Sequence, residues 1–125
     1  MRCSINILPR QMWGMAMGRV LVVAYQPADG KREEVLELLA RQHTHARKLG
    51  VLDERRPIVC EATNGEIMVV AVLARGAGVE ALFQDEVFQD INAKMASVAV
   101  VTPVRTLTEA SATFIDIALL PNRGG

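Results

Sequence analysis

His43 and His45 are the only two imidazoles in the chain. If they lie on a helix, as the surrounding pattern requires, positions two apart point about 200° from each other and cannot share one metal ion. His45 follows Leu38 by seven residues, near the apolar seam, where a neutral imidazole facing a sheet could serve as a base near pH 7. His43 falls with Leu36, Leu39 and Ala40 on the flank. The plainer alternative for both is a solvated or half-buried structural histidine. Tyr25, the single tyrosine, ends an apolar run. It reads either as an amphipathic ring capping the core with its hydroxyl in water or as a polar group at a pocket mouth. Asn92 completes the candidate catalytic set of Tyr25, His45 and Asn92.

Other reactive types carry less. Cys3 and Cys60 have no metal-ligand spacing and read as reduced thiols of a cytoplasmic protein. Asp53-Glu54-Arg55-Arg56 reads as a solvated turn with local ion pairs, the alternative being an anion site on Arg55 and Arg56. Gly76-Ala77-Gly78 lacks the lysine of a phosphate loop. Met68 and Met95 are core filler. The expectation is therefore no metal site and no cofactor.

The elements that must position these residues follow from periodicity. The β-branched run 20–25 reads as a strand buried on both faces, ended by Pro27 and Asp29-Gly30. From 31 to 49, Val35, Leu38, Leu39, Ala46 and Leu49 recur at helical spacing, with Glu33, Glu34 and Glu37 at one end and Arg47 and Lys48 at the other. Gly50 marks the stop. Residues 58–63 alternate as a second strand, and Asn64-Gly65 predicts a type I′ hairpin into the wholly apolar strand 67–73. Val79, Leu82, Phe83, Val87, Phe88, Ile91 and Met95 mark a second helix kinked near Gln84-Asp85. Residues 98–107 form a fourth strand containing Pro103, and 112–117 alternate weakly as a candidate fifth.

The chain has 125 residues, enough for one domain, with 14 basic and 14 acidic residues, so it offers no electrostatic footprint for nucleic acid or an anionic membrane. No apolar run approaches the roughly 20 residues that span a bilayer. Residues 1–18 hold four of the six methionines and the only tryptophan, Trp13, but no signal-peptide core. They read as an N-terminal extension, either a tail or a partner-gripping arm. The folded domain is 19–117, and 118–125 are a C-terminal tail.

The order β-α-β-β-α-β predicts an α+β, ferredoxin-like fold: an antiparallel four-stranded sheet with two helices on one face, strands one and three central, strands two and four at the edges. Two helices cover only one face of such a sheet. Burying the roughly six aliphatic side chains on the other would be worth on the order of 1.5–3 kcal/mol each, so a homodimer through the sheet face is expected. The βαββαβ order, the Asn64-Gly65 hairpin, the helix bearing Phe83 and Phe88, and Leu107-Thr108-Glu109-Ala110 with Phe114 resemble the dimeric α+β barrel superfamily, in its antibiotic-biosynthesis-monooxygenase-like branch. The resemblance implies a dimeric barrel with a cavity between sheet and helices in each monomer. No catalytic set of that branch transfers onto these residues. The pocket wall is expected from Leu38, Leu39, Leu82, Phe83, Phe88 and Ile91. The functional reading is a homodimer that binds a small apolar or aromatic ligand or serves as a structural module, without catalysis. The alternative is a cofactor-independent monooxygenase or isomerase acting on a small aromatic or polyketide-like molecule.

Overall fold

The computed structural model describes residues 19–121. The expected extension 1–18, with Cys3 and Trp13, lies outside the described residues, as does the end of the expected tail. Strand β1 (Arg19–Pro27) grows from the β-branched run. Helix α1 (Arg32–Lys48) has Glu33 and Glu34 in its first turn and His45, Arg47 and Lys48 in its last, complementing the helix dipole. It ends in a Schellman motif: Val51 N–H donates to the Ala46 carbonyl and Gly50 N–H to the Arg47 carbonyl, both at 3.0 Å. Gly50 takes φ +78° there, a value that a side chain would strain.

Strands β2 (Ile58–Glu61) and β3 (Ile67–Leu73) form the expected hairpin with a different turn. Gly65 N–H donates to the Ala62 carbonyl and Ala62 N–H to the Glu66 carbonyl, both at 2.9 Å. Gly65 has φ +90° while Asn64 keeps a negative φ, which excludes the type I′ turn. The loop is three residues long, a type I turn followed by a left-handed glycine. The Asn64 side chain explains the choice. Its Oδ1 accepts from Glu66 N–H at 3.1 Å, and its Nδ2 donates to Glu66 Oε2 at 2.8 Å and to the Thr106 carbonyl at 3.1 Å.

The second helical stretch is two helices, α2 (Glu80–Phe83) and α3 (Glu86–Ala96), divided at Gln84-Asp85 where the kink was expected. Asp85 leaves the helical region (ψ 129°) and caps α3, its carboxylate accepting from Phe88 N–H at 2.9 Å. Strand β4 (Ala99–Thr102) is shorter than the expected 98–107. Pro103, with no N–H to continue a ladder, ends it rather than lying within it, and 3-10 turns follow at Val104–Thr106 and Thr108–Ser111. Strand β5 (Ala118–Leu119) closes the chain.

Residues 19–121 thus form an α+β fold, with a five-stranded antiparallel sheet in the order β4-β1-β3-β2-β5 and three helices, where four strands and two helices were expected. Strands β1 and β3 are central, paired from Arg19↔Leu73 to Tyr25↔Ile67. β4 is an edge, but β2 is not, because β5 pairs with it at Cys60↔Leu119 and Glu61↔Ala118. The fifth strand lies just past the weakly alternating stretch 112–117 and past the expected domain boundary. Two residues are too few to leave a periodic trace.

The sheet has two unlike faces. Val23, Tyr25, Ile67 and Val69 face the helices and join Val35, Leu39, Ile91 and Met95 in the main core, while Ala71 and Leu73 join Leu82 and Phe88 in a second cluster. On the opposite face, the C-terminal turns cover one end, where Leu107, Val104, Ala110 and Ile117 pack on Ala24, Ala62 and Met68. Glu66 pins this cover. It is 2% exposed and accepts from Thr106 Oγ1 at 2.7 Å as well as from Asn64. Burial alone would raise its pKa; these hydrogen bonds more than offset that and hold it below the ordinary carboxylate value. Among the described residues nothing packs over the rest of that face. Val20 and Val100 are 62% and 66% exposed, with Val22 and Ile58 also exposed and Val70 and Val72 half-buried beside them. The two-sided burial expected of strand 20–25 is therefore absent from the single chain.

Candidate functional site

A cavity of about 620 Å³ lies between the helices and the β1–β4 side of the sheet, within the range usual for small-molecule sites. Its position follows from the break between α2 and α3. A continuous helix would lay its apolar stripe along the sheet, whereas the break at Gln84-Asp85 turns Leu82, Phe83 and Phe88 toward a space also walled by Leu21, Val23 and Met95. Phe83 and Phe88 meet edge to face, their centroids 6.3 Å apart. At the rim, Phe83 and Val101 are exposed. A smaller chamber of about 70 Å³ shares Leu21, Val23, Tyr25, Gln42, Leu82 and Phe88 with the first, and adds His43, Leu52 and Val69.

Among the described residues, three polar side chains line the main cavity: Tyr25, Gln42 and Asn92. Tyr25 projects from β1 between Ile67 and Val101 in the pairing register and is buried, which pushes its phenol pKa up. Gln42 from α1 is 5% exposed, and its Nε2 donates to Asn92 Oδ1 of α3 at 2.6 Å. This amide pair ties the two helices together across the cavity wall. His43 stands in the smaller chamber, where burial, reinforced by the Arg47 charge, lowers its pKa to about 4. It is a neutral imidazole at physiological pH. Among the described residues neither the Tyr25 hydroxyl nor the His43 ring has a hydrogen-bond partner. Among the described residues no Asp, Glu, Lys or Arg lines either chamber.

The expected site residues divide accordingly. Tyr25, Asn92, Leu82, Phe83 and Phe88 line the cavity. His45 does not. Its Nε2 is 2.6 Å from Asp85 Oδ2, in a shallow groove between α1 and α3 with Arg41, Thr44, Lys48 and Val87. Leu39 and Ile91 are each 2% exposed and fill the junction of helices and sheet, and Leu38 borders a polar groove with Glu34, Glu37, Arg41 and Lys94. None of the three lines the cavity. Arg55 is engaged locally, its Nη1 2.6 Å from Asp53 Oδ2, in the solvated turn expected there. Cys60 is buried, which raises its thiol pKa.

Gln42 and His43 were missed as cavity residues. Gln42 left a signal: it continues the seam of Val35, Leu38, Leu39 and Ala46, and an amide on such a seam needs a buried partner. Among the described residues no three His, Cys, Asp or Glu side chains group as metal ligands. No helix there is long and apolar enough to cross a membrane. Comparison with protein-family models, with curated proteins and with solved structures gives no match.

Proposed function

We propose that this chain is a ligand-binding protein of ferredoxin-like, dimeric α+β barrel type, working as a cytoplasmic homodimer, whose cavity takes a small apolar or aromatic molecule. The observation that carries this reading is the cavity itself: about 620 Å³ of mainly apolar wall on which Tyr25, Gln42 and Asn92 converge. The order β4-β1-β3-β2, with α1 between β1 and β2 and the α2–α3 pair between β3 and β4, supports the ferredoxin-like assignment and the likeness to the antibiotic-biosynthesis-monooxygenase-like branch. The open valine face supports the dimer, since a second copy laid sheet to sheet covers Val20, Val22, Ile58 and Val100 at once.

One observation favours the enzymatic alternative, cofactor-independent oxygenation or isomerisation: Tyr25 and His43 share the smaller chamber. Against it, an imidazole with a pKa near 4 is a weak base at neutral pH. Binding without catalysis is the stronger reading.

The test is a thermal-shift screen of apolar and aromatic compounds followed by calorimetry on the hits. Hits should bind the wild type and lose affinity in Leu21→Trp, which pushes an indole into the wall shared by both chambers, while that variant keeps its secondary structure. Unchanged affinity in Leu21→Trp would place the ligand elsewhere and defeat the proposal.

A further inference from the structure

The described residues that line both chambers carry no formal charge, and this bears on what can enter them. Resting on the cavity reading above, we infer that the ligand is bound electrically neutral, as a hydrocarbon body in the main cavity carrying one small hydroxyl or carbonyl group that reaches Tyr25, Asn92 and the His43 chamber. Three observations support it.

First, a charged ligand would surrender its hydration to a wall of Leu21, Val23, Leu82, Phe83, Phe88 and Met95 with no opposite charge to replace it. Of the charged side chains nearby, Arg41 and Lys48 lie beside His45 and Glu34 and Glu37 beside Leu38, in other grooves, and Arg47, whose charge reaches His43, lines neither chamber.

Second, the polar groups present are matched to one neutral hydrogen-bonding group. The Gln42–Asn92 bond uses one Gln42 N–H and the Asn92 oxygen, leaving the Asn92 amide as a donor and the Gln42 carbonyl as an acceptor. Tyr25 adds a hydroxyl that can donate or accept, and neutral His43 adds one donor and one acceptor nitrogen. A carbonyl meets donors from Asn92 and Tyr25; a hydroxyl meets both kinds of partner.

Third, the chambers differ in size as a body and a substituent differ. The smaller, at about 70 Å³, has room for only a few heavy atoms, judged against a liquid water's share of roughly 30 Å³. The main cavity accommodates a fused-ring or branched hydrocarbon frame.

The experiment uses the full chain and five probes of one frame measured by calorimetry at pH 7: 2-naphthol, 2-acetylnaphthalene, 2-methylnaphthalene, 2-naphthoate and 2-naphthylmethylammonium. The naphthol and the ketone should bind at least ~100-fold more tightly than either ion, the scale of burying an unpaired charge. They should also exceed 2-methylnaphthalene by roughly tenfold, the net worth of a hydrogen bond. Tyr25→Phe and Asn92→Leu should erase that margin and leave 2-methylnaphthalene binding in place. Equal affinity for either ion overturns the inference while the cavity reading stands, and so does a naphthol no tighter than the methyl compound. Failure of all five to bind overturns both.

Discussion

His43 is the residue whose ionisation the fold most disturbs. Its pKa is about 4 in the native chain, against about 6.5 for a free imidazole. Between these values the unfolded chain binds the extra proton and the folded chain does not, so stability is complete above about pH 6.5 and drains away as pH falls toward 4. The linked loss is at most ~3 kcal/mol, and less in practice because the ring is only partly buried. Replacing His43 with Leu should flatten the urea midpoint between pH 6.5 and 4.5 relative to the wild type. Parallel midpoint curves for the two proteins would mean that the imidazole is solvated. The carboxyls of Glu66, Glu61 and Asp85, all held below their ordinary values, lose their stabilising ionised form at lower pH than this window. For Glu61 the hydrogen-bonded Arg32 guanidinium, 2.8–2.9 Å away, is the main cause.

At the scale of elements, two junctions stand out: one shapes the cavity wall, and the other latches the C-terminal turns to the opposite face of the sheet. Asp85 caps α3 through Phe88 N–H and receives His45 Nε2, so one carboxylate fixes both the start of α3 and its position against α1. The backbone hydrogen bond is the larger cause of its lowered pKa and the His45 contact the next. Asp85→Ala should lower the melting temperature and weaken binding of a cavity ligand together, whereas Asp85→Ser, which retains a cap but not the His45 contact, should recover part of both. Two variants that melt alike would show that the cap contributes nothing. The β2–β3 hairpin is the second junction. Gly65→Ala should cost on the order of 1–2 kcal/mol, because φ +90° strains any L side chain. Asn64→Asp should also destabilise, since it sets a carboxylate against buried Glu66 and removes the donor to the Thr106 carbonyl. A denaturation midpoint for Asn64→Asp equal to the wild type would rule out this amide as the latch.

For the whole molecule, the open sheet face dominates. Val20, Val22 and Val100 stand in water beside half-buried Val70 and Val72, an apolar stripe that a monomer would have to tolerate. Under the homodimer reading, sedimentation equilibrium at micromolar concentration should report two chains, and the double variant Val20→Lys, Val22→Lys should report one with its secondary structure retained. A wild type that sediments as a folded monomer would refute the dimer.

The order of elements was legible in the sequence because period-two and helical spacing are local properties, written over a few consecutive residues. The wholly apolar run 67–73 marked β3 as central, and Gly50 marked the end of α1, for reasons that need no knowledge of distant residues. What lay beyond that reading depends on which surfaces meet. His43 and His45 stand about 80° to either side of the buried seam of α1 at 3.6 residues per turn, so their spacing alone gives them equal claim to an interior site. The contacts break the tie: α3, docked on the His45 side, brings Asp85 to that imidazole, while the other flank opens on the small chamber that takes His43. The hairpin type was settled in the same way, by Thr106 and Glu66 closing on the Asn64 amide from 42 and two residues away along the chain. Spacing along one element orders its side chains, but a cavity is bounded by several elements at once, and its walls exist only when they dock.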